Sequence, residues 1–184
     1  MATSPYITTQ YASEQFVESC GAILFNTRRK TVCLIHYHAK DEWLLAKGRR
    51  NCGESRQQAA LREVREETGY QAYLHPVMMH TRAPLEERGP LPDQPRSYPQ
   101  LVEPFMVTLR QLGGDGEKDI KLIWWFVAAL DEGAMPGAAG EEEFTPEFFP
   151  LQEAMQKLTF QNDRDVLERA IALVGGESGD HGST

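Results

Sequence analysis

The chain of 184 residues carries 19 lysines and arginines against 27 aspartates and glutamates, a formal net charge of −8. That balance argues against broad nucleic-acid binding, which depends on neutralising phosphates, and still permits a local basic pocket. The length suits one domain with a sizeable core, and no apolar run is long enough to cross a bilayer as a helix, so no membrane partner is expected. Cys20, Cys33 and Cys52 are an odd, sparse set without zinc spacing, and the opening residues lack the pattern of a secretory signal. A reducing compartment follows as the expectation, cytoplasmic with nuclear also open.

In chain order, residues 1–14 read as a flexible tail, 15–175 as a single domain and 176–184 as a second flexible tail. Cys20 to Phe25 reads as a buried strand, turned by Asn26 to Lys30 into a partner from Thr31 to His38. Trp43 to Ala46 reads as a short third strand ending at Gly48. A helix follows with clear ends: Ser55 precedes Gln58 by capping-box spacing, and Gly69 stands where a left-handed residue would stop it. Ala60, Leu61, Val64 and Thr68 give this helix a packing face.

Further strands are expected at Gln71–Leu74, Val77–Met79 and Leu101–Leu109. Between the last two lies a Pro-rich stretch, 83–100, with Pro84, Pro90, Pro92, Pro95 and Pro99. It reads as a long loop insertion beside the substrate. Gly113 to Gly116 reads as a turn. Leu122 to Leu130 is apolar throughout, as a central strand covered on both faces would be. Leu151, Ala154, Met155 and Leu158 have helical spacing, and a last helix is expected from about Asp163 to Val174. Hairpins and crossovers together imply an α/β (α+β) fold, a central mixed β-sheet with helices on both faces.

The chemistry concentrates between Gly48 and Tyr70, GRRNCGESRQQAALREVREETGY. Glu63, Glu66 and Glu67 stand at i, i+3 and i+4, so all three project from one side of the helix. Like charges at that spacing destabilise an isolated helix by roughly 0.2–0.5 kcal/mol per pair. A hard divalent cation relieves the repulsion, and magnesium commonly joins carboxylates to substrate phosphates. Such an ion could neutralise a diphosphate and acidify a bound water.

Taken with their surroundings, these residues resemble the box of the Nudix hydrolases. Gly48, Glu54, Arg62, Glu63, Val64, Glu66, Glu67 and Gly69 occupy its fixed positions, and Tyr70 fills a place where an aliphatic residue is commoner. The resemblance implies an α/β/α sandwich, a metal ion (Mg2+ or Mn2+) and cleavage of a diphosphate linkage. It implies Glu63, Glu66 and Glu67 as metal carboxylates, the Gly48 carbonyl as a further ligand, and Arg62 and Glu54 as residues that orient the cluster. Many members add a glutamate from a loop before the last strand or helix. Glu141-Glu142-Glu143 lies in such a place, and Glu142 or Glu143 is a candidate metal-linked residue or base, with Glu143 taken as the metal ligand.

Lys47, Arg49 and Arg50 form a basic group beside the box, and Arg56 stands just inside the helix. The first three are candidates for binding substrate phosphates; Arg56 reads as surface. Ala46-Lys47-Gly48-Arg49 resembles the Pro-Lys-Gly entry to the box in fungal Nudix proteins related to the dinucleoside polyphosphate and diphosphoinositol polyphosphate hydrolases, with Ala46 in place of the proline. A small-molecule diphosphate or polyphosphate is therefore the expected partner. A pyrophosphatase of nucleoside-diphosphate derivatives or mutagenic nucleotides is the alternative. In a different class stands a catalytically silent nucleotide-binding module, which usually loses box glutamates; none is lost here. His36 and His38 share a strand face and read as structural, and Cys52 as a spectator thiol. Trp124 and Trp125 alternate faces and read as core. Oligomeric state is left open.

Overall fold

A computed structural model describes residues 5–84, 92–113, 119–133 and 140–176. The elements are β1 (Phe16–Asn26), β2 (Thr31–Tyr37), β3 (Glu42–Leu44), β4 (Lys47–Arg49), α1 (Arg56–Thr68), β5 (Ala72–Leu74), β6 (Val77–Thr81), β7 (Arg96–Leu101), β8 (Met106–Gln111), β9 (Ile120–Leu130), β10 (Phe144–Pro150), α2 (Leu151–Lys157) and α3 (Gln161–Gly175). Eight strands form a mixed sheet along the path β10-β2-β1-β9-β5, with β3 on β2, β4 on β1 and β8 on β9; β6 and β7 pair separately. The centre is the parallel pair β1 and β9, in register from Phe16↔Ile120 to Phe25↔Ala129.

Strand alternation divides the core between two faces. Cys20, Ala22, Leu24, Phe126 and Ala128 pack against Ala59, Ala60 and Val64 of α1. Ile23, Phe25, Ile123, Trp125 and Val127 pack against Ala154 and Leu158 and against Val166, Leu167 and Ala170 of α3. The expected mixed sheet between helices is thus present, with β9 covered on both sides. Among the described residues no helix is long and apolar enough to cross a membrane.

α1 has the ends its sequence implies. The Ser55 side chain accepts from the Gln58 N–H, the Gln58 side chain accepts from the Ser55 N–H, and Gly69 sits at φ 72° with its N–H on the Arg65 carbonyl. Ala60, Val64 and Thr68 are buried as expected, joined by Ala59, while Leu61 is half-buried.

Four expectations require correction. The strand Trp43–Ala46 is two short strands on different partners: β3 extends the β2 edge at Ile35↔Leu44, and β4 takes the β1 edge at Cys20↔Gly48. The strand Leu101–Leu109 is broken at 102–105, where the chain leaves the β6–β7 sheet and enters the large one; Pro104 has no N–H to continue a ladder. The Pro-rich loop is shorter than 83–100, because β7 begins at Arg96. Pro99 is tolerated there at a register irregularity opposite Met78, where Gln100 turns to φ 57°; residues 85–91 lie outside the described ones. Finally, β10 was not expected. Pro146 and Pro150 disguise it, and it is compatible with them because it lies at the end of the sheet path, pairing only with β2.

α3 begins two residues earlier than expected, at Gln161. Of the expected turn Gly113–Gly116, Gly113 is at φ 94° and the rest lies outside the described residues. Residues 5–14 contain no helix or strand, and 1–4 and 177–184 lie outside the described ones.

Candidate active site

The site forms where α1 crosses the short strand β4. Glu63 reaches from the helix onto Gly48, and a Cβ at Gly48 would overlap its carboxyl group. A glycine is required here because the space a side chain would take is filled by a carboxylate. One turn on, Glu67 Oε2 accepts the Lys47 N–H at 2.7 Å. Both glutamates are buried, at 8% exposure each, whereas Glu66 is exposed. The sequence spacing therefore yields two inward carboxylates and one at the rim.

Arg62 gathers the remaining groups. Its Nε and Nη2 donate to the two oxygens of Glu54 at 2.8 and 3.0 Å. Nη1 donates to Glu63 and to Glu66, each at 2.7 Å, and Nη2 to the Arg49 carbonyl at 2.9 Å. Every N–H of the guanidinium is used, a match only arginine's planar fork can make. Glu54 first, then Glu63 and Glu66, hold the guanidinium charged far above its ordinary range. The Arg62 hydrogen bonds in turn hold Glu54 below the usual carboxylate range.

The inward carboxylates behave oppositely. Burial pushes Glu63 up, against the pull of Arg62. Burial pushes Glu67 up to about 8, with the charge and N–H of Lys47 pulling down and the charges of Glu63 and Glu141 adding to the rise. An all-oxygen donor set, short of positive charge at its buried end, fits a hard divalent cation. Among the described residues no three such groups already converge on one point, since Arg62 spans Glu63 and Glu66. The residues that would hold the ion are Glu63, Glu66 and Glu67 with the Gly48 carbonyl.

The acidic loop before β10 meets the end of α1 at Glu141. The Glu141 N–H donates to the Glu66 carbonyl at 2.8 Å, and a Cβ at Gly140 would lie 2.8 Å from the Glu67 carbonyl. It is the Glu141 charge that bears on Glu63 and Glu67. Glu143 instead stands where β10 begins, its carbonyl accepting the His38 N–H at 3.2 Å. Sequence reasoning located the loop; the tertiary contact of Gly140 with α1, which brings Glu141 beside the cluster, depends on distant residues.

The basic group splits in two. Lys47 and Arg49 pair with Gly21 and Ser19 across the β1–β4 ladder and lie on the face away from α1. Arg50 lies on the α1 side, its Nε on Glu18 at 2.9 Å and its Nη1 on the Glu54 carbonyl at 2.9 Å. Arg56 holds the other Glu18 oxygen at 2.6 Å and stacks on Trp124 at 4.0 Å. Burial pushes Glu18 up, but hydrogen bonds from Arg56, Trp124 and Arg50 outweigh it and leave the carboxyl low. Trp125 is buried, with its Nε1 on Thr108 at 3.0 Å. Trp124 is half-buried under Arg56. His36 is bound to Asp41 at 2.6 Å and His38 to Thr145 at 2.7 Å. Cys52 is exposed and free.

The match of residues 16–170 to the NUDIX domain places the chain in that family. An 8-oxo-(d)GTP phosphatase of Mycolicibacterium smegmatis is 25% identical over an alignment of 174 positions that covers 89% of this chain; the chain spans only 44% of that relative's length. A hydrolase of the NUDIX family from Clostridium perfringens superposes with a TM-score of 0.57 at 14% identity, covering 90% of this chain and 99% of its own. An Ap4A hydrolase binary complex from C. elegans gives 0.53 at 15% identity, covering 87% and 98%. These structural likenesses concern the fold.

Proposed function

We propose that the chain is a divalent-metal-dependent pyrophosphohydrolase that cleaves a diphosphate linkage in a substrate with additional phosphates, a dinucleoside polyphosphate or diphosphoinositol polyphosphate. The observation that carries this reading is the pinning of Glu63 and Glu67 onto the backbone of β4 beside the Glu66–Arg62–Glu54 network. When bound, Mg2+ or Mn2+ supplies neutralisation of the diphosphate and an acidified water. Arg62 fixes Glu54 and keeps the ligand carboxylates in place, and Glu141 adds a further carboxylate at the rim. Lys47 and Arg49 meet phosphates on the other face of β4.

A second reading, a pyrophosphatase of damaged nucleoside triphosphates, is supported by the M. smegmatis relative. Both substrates carry at least three phosphates. The test is a screen of diphosphates and polyphosphates with Mg2+ and Mn2+, with product identification, on the wild type and on Glu66→Gln. Metal-dependent release that falls by orders of magnitude in the folded variant is expected. Release that is independent of metal, or unchanged in the variant, overturns the reading.

A further inference from the structure

The register of the sheet places four cations on the face opposite α1. Arg110 of β8 stands directly opposite Lys121 of β9. Lys121 pairs with Val17 of β1; in the next row on the same face come Thr108, Ile123, Ser19 and Arg49, then Met106, Trp125, Gly21 and Lys47. Gly21 lacks a side chain, as it must, because a Cβ there would lie 2.7 Å from both the Trp125 ring and the Lys47 Cβ. The buried Trp125 ring thus fills the floor beside Lys47.

Two features of this face call for an anion. Like charges directly across an antiparallel pair are destabilising, and Arg110 and Lys121 are such a pair. Among the described residues none of Lys47, Arg49, Arg110 and Lys121 forms an ion pair, whereas Arg50, Arg56 and Arg62 all do. The second feature is Ser19, fully buried, whose hydroxyl lies on this face between Arg49 and Ile123 and has no hydrogen-bond partner among the described residues.

We propose that Arg110 and Lys121, with Lys47, Arg49 and the Ser19 hydroxyl, form a phosphate-recognition surface that selects substrates with phosphates beyond the diphosphate being cleaved. The assignment rests on the pyrophosphohydrolase reading for its substrate, and it adds residues from strands far from the box in sequence. The acidic groups bearing on the cations are Asp163 of α3, which faces Lys47 and Arg110, Glu67, on which the Lys47 charge acts, and Glu63, whose charge reaches Lys121. Asp163 is 4% exposed and accepts the Leu45 N–H, and the charges of Lys47 and Arg110 act on it; burial nonetheless pushes its carboxyl up. Among the described residues none of these three buried carboxyls forms an ion pair with any of the four cations. Burial first, then the charges of Lys47, Arg110 and Arg49, pulls the Lys121 ammonium below its ordinary range.

The experiment uses inorganic tripolyphosphate in a chelator, without divalent metal, as a probe that reads the surface without turnover. Calorimetric titration of the full chain is compared for wild type, Arg110→Ala, Lys121→Met and the control Arg28→Ala, whose side chain pairs with Glu132 at the β1–β2 hairpin. Loss of one charge-assisted contact should weaken binding about tenfold in each test variant and leave the control unchanged. KM should rise for a substrate with three or more phosphates and stay level for a two-phosphate nucleotide sugar, with kcat unchanged. Equal tripolyphosphate affinity in wild type and Arg110→Ala, or weakening as large in Arg28→Ala, overturns the proposal, and Arg110→Ala decides alone if Lys121→Met fails to fold. If tripolyphosphate binds as expected but no diphosphate is cleaved with any metal, the pyrophosphohydrolase reading fails and the phosphate surface stands.

Discussion

Glu67 makes the metal-free protein sensitive to pH in a direction opposite to most carboxylates. Its ordinary value is 4.5 and its folded value about 8. Between these values the unfolded chain has lost the Glu67 proton while the folded chain retains it. A group raised by folding contributes stability that is complete below 4.5 and is lost as pH rises through about 8. The slope is about 1.4 kcal/mol per pH unit, at most about 5 kcal/mol over the window. Water entry and movement of Lys47 relieve part of it, and a net effect of about 2 kcal/mol would lower Tm by roughly 4–8 °C for a chain of this size.

The assay is thermal unfolding in a chelator at pH 5, 6.5 and 8, on wild type and Glu67→Gln. Glu63 and Asp163, also raised by burial, remain in both proteins and drop out of the difference. Glu18 and Glu54 are lowered, so their contributions are lost at acid pH, below this window. Wild type should lose stability toward pH 8 while Glu67→Gln loses less, so that the variant becomes the more stable protein there. Adding Mg2+ or Mn2+ at pH 8 should restore wild type and not the variant, because a bound ion stabilises the fold that holds it. Parallel pH curves for the two proteins, or a variant less stable at pH 8 without metal, would refute the argument.

Three other outcomes follow from the same contacts. Gly48→Ala forces Glu63 off β4 and should weaken Mn2+ binding and turnover by orders of magnitude with the α1 helix signal retained, as read by calorimetry and circular dichroism. Arg62→Lys keeps the charge but cannot reproduce the fork to Glu54 and Arg49, so urea unfolding should show a loss of roughly 1–3 kcal/mol together with lower kcat. Arg50→Ala and Arg56→Ala each leave Glu18 one partner short and should lower Tm without raising KM for a polyphosphate, unlike Arg49→Ala.

Local rules served where the signal was local. The capping box at Ser55 and Gln58, the stop at Gly69 and the apolar run of β9 each depend on a few neighbouring residues, and each was legible in the sequence. The spacing of Glu63, Glu66 and Glu67 gave their common face. It could not tell that Glu63 and Glu67 turn inward while Glu66 stays at the rim, because that depends on where β4 lies. The misread elements are those decided by distant partners. β10 is a strand because β2 offers it an edge, despite two prolines. Lys47, Arg49 and Arg50 look alike in sequence, yet strand alternation puts Arg50 beside Glu18 and the other two on the opposite face.

Under the proposed phosphate surface, the same alternation would separate two tasks that a single helix face could not perform. Clustered carboxylates need a cation and clustered cations need an anion; side by side in one plane they would cancel as ion pairs, as Glu18 does with Arg50 and Arg56. A three-residue edge strand keeps them apart. Gly48 admits Glu63 from the α1 side, while Lys47 and Arg49 on either side of it point to the other face, where the ladders of β1, β9 and β8 add Lys121 and Arg110. On that proposal, a polyphosphate laid across that edge would present one pair of phosphates to the carboxylate side and the rest to the cations of the other face. Gly48 is what lets the carboxylate side approach the strand, because a Cβ there would overlap the Glu63 carboxyl group.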